Sequence, residues 1–330
     1  MPGTSTTRRS GQEEGHAMTT SRLGSQPADA RPGVLARHPL VSFFVIAYAG
    51  AWLLELPVVL SRTGTGLLPY TLPPIAVLVL IAAATFTGPT LSAFVMARAT
   101  EGREGPKRLL RRYVLWRVQF RWYLFVLLVI PAGVLLGAIV LPGVLASYQP
   151  LTLGLLLGYP LAFVATFVLG GPLGEEPGWR GFALPRLQVA YGPLAGSALL
   201  GVLWALWHFP LFWTGVWTPP TLANMVMFVV MTTALTVVIA WVFNNAEGSL
   251  LITMLMHASF NTFANKIVVP LFPAPLLDAY GLLPVLVGFV SVASIVVAAT
   301  RGRLSYRGER RTQETDAAAV PRERSGLHRR

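Results

Sequence analysis

The stretch Leu222-Ala-Asn-Met-Val-Met-Phe-Val-Val-Met-Thr-Thr-Ala-Leu-Thr-Val-Val-Ile-Ala-Trp-Val-Phe243 contains no charged residue. A helix of this length crosses the hydrocarbon core of a bilayer, which needs about 20 apolar residues. Similar stretches recur along the 330-residue chain, in which 54% of residues are hydrophobic and 12% are charged. A soluble globular chain carries about twice that share of charge. The sequence therefore predicts an all-α, polytopic membrane protein, because helices satisfy their own backbone hydrogen bonds in lipid.

Apolar runs separated by turn residues predict eight transmembrane helices. They cover residues 39–60, 72–97, 122–143, 151–189, 193–213, 222–243, 250–268 and 281–299. Together they make a transmembrane domain over residues 39–300. The segments 1–38 and 301–330 are polar and basic, so we expect disordered cytoplasmic tails there. The fourth span is too long for one straight crossing, and we expect a break at Gly158-Tyr-Pro160 or Gly170-Gly-Pro172.

The basic residues are segregated along the chain. Of 26 lysines and arginines, 5 lie in residues 1–38, 8 in residues 98–121 and 9 beyond residue 300. Cytoplasmic termini would place 24 of the 26 on the cytoplasmic side, as the positive-inside rule requires. The bias towards Ala, Arg, Gly, Pro and Val suggests a GC-rich bacterial genome. We therefore expect an integral protein of a bacterial plasma membrane with both termini cytoplasmic.

Basic residues flank the spans without interleaved aromatic residues, so we expect no nucleic-acid partner. Residues 98–121 alternate arginine with apolar residues and predict an amphipathic helix at the membrane surface. The chain has no cysteine, which excludes disulfides, thiolate metal sites and a cysteine nucleophile.

Charged side chains within the spans need a reason, because each costs about 2.5–3.5 kcal/mol on insertion scales. Glu55 and Asp278 lie near span ends, where we expect them to reach water. The ionisable residues that remain deep in the spans are Glu175, Glu176, Arg180, His208 and His257.

A tight turn at Tyr191-Gly-Pro193 predicts that the fourth and fifth spans form an antiparallel hairpin. Glu175 and His208 each lie about 16 residues from this turn, so we expect them at one depth, about 24 Å along the helices. Glu176 and Arg180 are four residues apart and should pair on one helix face, which leaves Glu175 without an obvious partner.

The seventh span carries the other polar pair. His257 and Asn261 are four residues apart and share a helix face. If its helix starts at the membrane interface, His257 should lie one or two turns shallower than Glu175. Pro177-Gly178 directly follows the two glutamates and predicts a kink at that position.

These residue types suit the activation of a water molecule. A desolvated glutamate serves as a general base, a facing histidine orients the water, and a second histidine with an asparagine amide stabilises an oxyanion. Hydrolysis of a peptide bond uses all of these groups. Two histidines with a carboxylate, here Glu175, His208 and His257, would also satisfy a catalytic zinc ion. Spacing alone does not choose between metal-bound and metal-free water.

Three motifs carry these residues. They read Glu175-Glu-Pro-Gly-Trp-Arg180, Trp204-Ala-Leu-Trp-His208 and His257-Ala-Ser-Phe-Asn261. They resemble the Glu-Glu-x-x-x-Arg, Phe-x-x-x-His and His-x-x-x-Asn motifs of the CPBP (Abi) family of intramembrane proteases, which includes the type II CAAX prenyl endopeptidases. Trp204 replaces the family's phenylalanine, a change that we expect to alter packing rather than chemistry. The resemblance covers about residues 170–265, which it marks as the protease core.

The resemblance implies an intramembrane endopeptidase that cleaves a membrane-associated protein or peptide. It implies that Glu175 activates water with His208, and that His257 and Asn261 stabilise the oxyanion. The residues that it implies shape the site or hold substrate are Glu176, Arg180 and Trp204. It also favours a metal-free mechanism, so we expect no cofactor, with Zn²⁺ as the alternative. We expect the site to open to the cytoplasmic leaflet.

Two functions from other classes stay open. One is a non-catalytic bacteriocin-immunity or scaffold membrane protein that binds a partner in the same pocket. The other is a proton-coupled transporter that uses the glutamates and histidines as a relay. The sequence shows no internal repeat, which counts against the transporter. Expected partners are the lipid bilayer and a peptide or membrane-protein substrate, prenylated or not.

Overall fold

The structure, a computed structural model, describes residues 33–308. All regular secondary structure in this part of the chain is helical, and the all-α polytopic fold is confirmed. The principal helices are α1 (Pro39–Leu60), α2 (Pro74–Glu101), α3 (Glu104–Tyr113), α4 (Phe120–Ile139), α5 (Leu153–Leu169), α6 (residues 172–191), α7 (Pro193–Trp213), α8 (Leu222–Asn245), α9 (residues 250–271), α10 (Ala274–Tyr280) and α11 (Leu283–Thr300).

Seven helical stretches within residues 33–308 are long and apolar enough to cross a membrane. They are α1, α2, α4, α5 continued by α6, α7, α8 and α11. The remaining predicted span, α9, lies in its expected place but is less apolar, because His257, Asn261 and Lys266 interrupt its apolar residues. Met254, Met256 and Ala258 of α9 are fully or almost fully buried, so this helix runs inside the bundle.

Aromatic packing joins the first span to the α6–α7 hairpin. Phe43 of α1 stacks on Phe182 of α6 with ring centroids 5.1 Å apart. Trp179 of α6 meets Trp207 of α7 edge to face at 5.7 Å. The Trp207 indole N–H also donates to the backbone carbonyl of Ala47, at 3.2 Å. These buried rings fix α6 and α7 side by side, and those two helices carry five of the candidate site residues discussed below.

The expected break in the long fourth span lies at Gly170-Gly171, between α5 and α6. Gly171 has φ +104°, a conformation that a residue with a Cβ rarely adopts. Pro160, the other expected position, lies inside α5 without ending it. The expected kink after the glutamates takes the form of a π-helical stretch over Pro177–Ala183, which begins where proline lacks a backbone N–H.

Small residues bring α6 close to α2. A side chain at Gly174 would overlap Thr85, and one at Gly178 would overlap Pro89. Glycines four residues apart on one face permit this close approach between helix backbones, as they do between other membrane helices. Thr90 of α2 then donates a hydrogen bond to the carbonyl of Gly174, at 2.5 Å. The first turn of α6 is therefore held firmly against α2.

Loops gather at two ends of the bundle. At one end, Ser249 donates to the carbonyl of Leu115 at 2.6 Å, and Arg186 pairs with Glu101 at 2.5 Å. This end, here called the basic end, comprises residues 33–38, 98–121, 186–192, 244–250 and 300–308. At the opposite end, Tyr280 donates to the carbonyl of Pro142 at 2.6 Å. The opposite end comprises residues 61–73, 140–152, 214–221 and 272–282.

The expected amphipathic surface helix corresponds to α3 at the basic end. Its Leu109 is buried, and a side chain at Gly181 of α6 would overlap it. Lys107 and Arg111 of α3 are exposed on the other side. One face of α3 therefore packs on the bundle while its basic face looks outward.

The expected terminal tails lie mostly outside the described residues. Within the described part, Val34–Arg37 forms a helical turn rather than an irregular tail. Beyond α11, Leu304 is fully buried and its carbonyl accepts a hydrogen bond from Asn244 at 3.0 Å. The helical domain thus extends a few residues past residue 300.

Candidate active site

Glu175 lies in the first turn of α6 and is buried, with 4% of its surface exposed. Its Oε2 accepts a hydrogen bond of 2.7 Å from the indole Nε1 of Trp204 on α7. The expectation that Glu175 has no obvious partner is therefore wrong. The expectation that Trp204 affects only packing is wrong as well, since a phenylalanine has no N–H to donate. The indole fixes one oxygen of this carboxylate.

His208 ends the α-helical part of α7, one turn after Trp204. Its Nδ1 lies 2.8 Å from the carbonyl oxygen of Trp204, so Nδ1 carries a proton and donates to that oxygen. The other ring nitrogen, Nε2, lies 3.8 Å from Glu175 Oε2. This separation exceeds a direct hydrogen bond but lets one water molecule contact both atoms. It also agrees with the equal depths expected for Glu175 and His208.

Glu176 belongs to a different cluster behind Glu175. Its Oε1 accepts a hydrogen bond from Arg180 Nη1 at 2.9 Å and lies 2.9 Å from His257 Nδ1. Arg180 also donates to Thr236 of α8 at 3.4 Å. Both members of the Glu176–Arg180 pair are fully buried. The i, i+4 pairing matches its expectation, and His257 joins it as a third member.

His257 is not shallower than the glutamates, contrary to expectation. Its contact with Glu176 places it at their level, although it lies only seven residues into α9. The reason is the start of α9, where the Leu250 side chain reaches the backbone of Gly181. Gly181 lies 11 residues before the Gly192 turn of the hairpin. The helix α9 therefore begins well inside the bundle.

The aromatic ring of Trp204 lies between the two clusters. Arg180 Cζ lies 4.1 Å from its centroid, a cation–π distance. The His257 ring meets Trp204 edge to face at 5.3 Å. Glu175, bonded to the indole nitrogen, thus shares one buried ring with the Glu176 network. Moving either cluster would displace the other.

A cavity of about 900 Å³ lies beside these clusters, and only some of the candidate site residues line it. Its walls include Glu175, Trp204, His208, His257 and Asn261. Glu176 and Arg180 do not line it. Asn261 donates from Nδ2 to the carbonyl of Gly170 at 3.3 Å, next to the α5–α6 break. Apolar side chains make up much of the remaining wall, among them Ile81, Leu169, Phe228, Leu235, Val269 and Val285.

Glu55 also lines this cavity, although the sequence did not predict it as a site residue. It is only 1% exposed, so the expectation that it reaches water at a span end is wrong. Within residues 33–308 its Oε2 has no hydrogen-bond partner, and its charge interacts with that of Glu175. Loop 61–66 packs against Trp213 and Gly215 and closes this end of α1. The side chain of Asp278, assigned to water with Glu55, lies outside the description.

A catalytic zinc ion would need three protein ligands gathered around one point. In the described chain, no group of three or more His, Cys, Asp or Glu side chains is placed to hold a metal ion. Glu175, His208 and His257 line one cavity, with Nδ1 of the two histidines bonded to Trp204 and Glu176 respectively and Nε2 left to face a ligand. The three side chains are not gathered closely enough for the three-ligand zinc site considered from the sequence.

The fold and the cavity together define an all-α integral membrane protein with a buried carboxylate and two histidines around one open space. Residues 157–263 match the family described as type II CAAX prenyl endopeptidase Rce1-like. A 37-residue segment is 54% identical to the CAAX prenyl protease 2 of Methanococcus maripaludis, over 11% of this chain. That segment spans 14% of the archaeal protein. Residues 157–263 of this chain are therefore similar to the type II CAAX prenyl endopeptidases, as its motifs indicate.

Proposed function

We propose that this protein is an intramembrane endopeptidase that hydrolyses a peptide bond of a membrane-associated protein or peptide. The observation that carries the proposal is the 3.8 Å spacing of Glu175 Oε2 and His208 Nε2 inside the cavity. A water molecule between them touches a carboxylate and an imidazole at once. Such a pair is the arrangement needed for general-base activation of water.

Glu175 takes a proton from this water while the water oxygen bonds to the substrate carbonyl carbon. The Trp204 N–H holds Oε2 in place and leaves the carboxylate little freedom to rotate. Collapse of the tetrahedral species breaks the C–N bond, and the proton passes from Glu175 to the leaving amine nitrogen. His208, with Nδ1 held by the Trp204 carbonyl, presents Nε2 to orient the water.

We assign the oxyanion to His257 and Asn261, which lie one turn apart on the cavity wall. Asn261 Nδ2 has a second N–H besides the one given to Gly170. His257 donates from Nε2, a role that requires a proton on that nitrogen. Donors fixed before reaction stabilise developing negative charge at little reorganisation cost.

Glu176 and Arg180 are positioning residues in this proposal. Neither reaches the cavity, and both are fully buried. Glu176 holds the His257 ring in place by its contact with Nδ1, and the Arg180 guanidinium packs on the face of the Trp204 ring. Their effect on the reaction passes through those two neighbours. We propose a metal-free reaction, because the side chains around the cavity do not form a metal-binding set.

The apolar wall suits a membrane-embedded or lipid-modified segment of the substrate. The family and the archaeal relative are both named for CAAX prenyl proteolysis. A farnesylated CAAX peptide is therefore the first probe, beside an unmodified hydrophobic peptide. We propose a bacterial plasma membrane as the location.

The test uses the full chain, purified and reconstituted in liposomes with internally quenched peptides of both kinds. Fluorescence release with two products in mass spectra is expected from the wild type and absent from Glu175→Gln. Retained cleavage by Glu175→Gln would refute the assignment of the base. A variant that cleaves nothing but still protects cells from a bacteriocin would favour the immunity function. Substrate flux that collapses with the proton gradient would favour the transporter.

A further inference from the structure

The lining of the cavity reaches the loops of one end of the bundle and not those of the other. Its loop-derived walls come from residues 214–218 and 281–282, which belong to the opposite end. No residue of the basic end, as defined above, contributes to it. Lys266 and Asn265, near the end of α9, stand at the same side. The mouth therefore faces away from the arginine-rich loops.

Positions along two helices support this placement. Glu55 lies 16 residues after the start of α1 and 5 before its end. His208 lies 15 residues into α7 and 5 from its end. At a rise of 1.5 Å per residue, both lie roughly 22–24 Å from the helix ends that join the basic end. The bilayer core is about 30 Å thick, so these cavity residues lie past its middle.

The charges of the described residues divide between the two ends. Among the described residues, Arg62 is the basic residue of the opposite end, Lys266 of α9 lies beside it at the cavity mouth, and Arg180 lies in the core. Those at the basic end are Arg37, Arg98, Arg103, Lys107, Arg108, Arg111, Arg112, Arg117, Arg121, Arg186, Arg301, Arg303 and Arg307. Lysine and arginine in short loops mark the cytoplasmic side of a membrane protein.

We infer that the cavity opens to the extracytoplasmic side of the membrane, and that its substrate is a polypeptide segment presented at the outer leaflet. This inference rests on the proposed endopeptidase function. It replaces the expectation of a site open to the cytoplasmic leaflet. That expectation and cytoplasmic termini are incompatible, because the mouth and the basic loops lie at opposite ends.

The residues at the mouth indicate which class of substrate fits the cavity. Thr218, Asn265 and Lys266 supply polar groups there, whereas the deeper wall is apolar. The chemistry fits a segment with an apolar stretch in the outer leaflet and a polar continuation outside. A cytoplasmic peptide would meet the packed surface of α3 and the hairpin turn instead.

The absence of cysteine from the chain makes the inference directly testable. Single cysteines are introduced as Thr218→Cys at the mouth, Thr65→Cys in the adjacent loop and Gln119→Cys at the basic end. Intact spheroplasts are treated with a membrane-impermeant maleimide–polyethylene glycol, with and without prior lysis. Both mouth variants should be labelled in intact spheroplasts, and Gln119→Cys only after lysis.

The reverse pattern, with Gln119→Cys labelled in intact spheroplasts and the mouth variants only after lysis, would overturn the inference. The wild type, without cysteine, measures background. Thr65→Cys decides the outcome if Thr218→Cys fails to accumulate. Labelling does not depend on turnover, so failure of this inference is distinct from failure of the endopeptidase assignment. In sealed vesicles of known orientation, peptide should be cleaved only from the side that labels the mouth cysteines.

Discussion

Replacing the two adjacent glutamates one at a time should separate chemistry from scaffold. Glu176→Gln removes the charge that balances Arg180, whose side chain is fully buried 2.9 Å away. Breaking a buried ion pair on one side costs about 3–5 kcal/mol, because the remaining charge is left uncompensated. Within residues 33–308 the hydrogen-bond donor to Glu175 is the neutral Trp204 indole, so Glu175→Gln should change the free energy of unfolding by no more than about 1 kcal/mol.

The assay is reversible unfolding of the purified protein in mixed micelles titrated with SDS, followed by tryptophan fluorescence. A third variant, Glu176→Gln with Arg180→Met, removes both charges and should recover most of the lost stability. Proteolysis of a membrane-anchored peptide is measured alongside. Glu175→Gln should be inactive but stable. Equal stability of the two single variants, or a larger loss for Glu175→Gln, would refute the division of roles.

Three further replacements probe the surroundings of Glu175. Trp204→Phe removes the N–H that donates to the Glu175 carboxylate, a hydrogen bond worth about 1.5–3 kcal/mol. This variant should lower kcat/KM by about ten- to a hundredfold. Unchanged kinetics would show that the indole contributes packing alone. Gly171→Ala combines a positive φ with overlap of Glu175 Oε1 and should cost about 1–3 kcal/mol, whereas Gly158→Ala in open space serves as the neutral control. Glu55→Leu should raise the free energy of unfolding by about 1–3 kcal/mol, because it removes a buried acceptor without a partner; a destabilised variant would reveal an interaction that this account omits.

Much of the architecture could be predicted from the chain alone. Apolar length fixes the spans, and glycine with proline marks the break before α6, because both depend on local backbone chemistry. The pairing of Glu176 with Arg180 follows from helix spacing in the same way. These features need no knowledge of how distant helices meet.

Contacts between distant helices could not be predicted from the local sequence. The depth of His257 depends on where α9 begins, which is set by its packing on Gly181 rather than by its own sequence. Glu55 lies close to a helix end, and only the loop folded over that end shows that it is buried. The hydrogen bond from Trp204 to Glu175 joins residues 29 positions apart. Tryptophan in place of the family's phenylalanine keeps an aromatic ring, so the motif does not reveal the added N–H donor.

The most direct test of the water-activating site compares cleavage rates of the reconstituted wild type and Glu175→Gln, each with and without a strong chelator. The account predicts that the wild type keeps its full rate in chelator and that Glu175→Gln has none in either condition. Loss of the wild-type rate in chelator with recovery on zinc addition would contradict the metal-free site. Cleavage by Glu175→Gln at the wild-type rate would contradict the central role of the carboxylate.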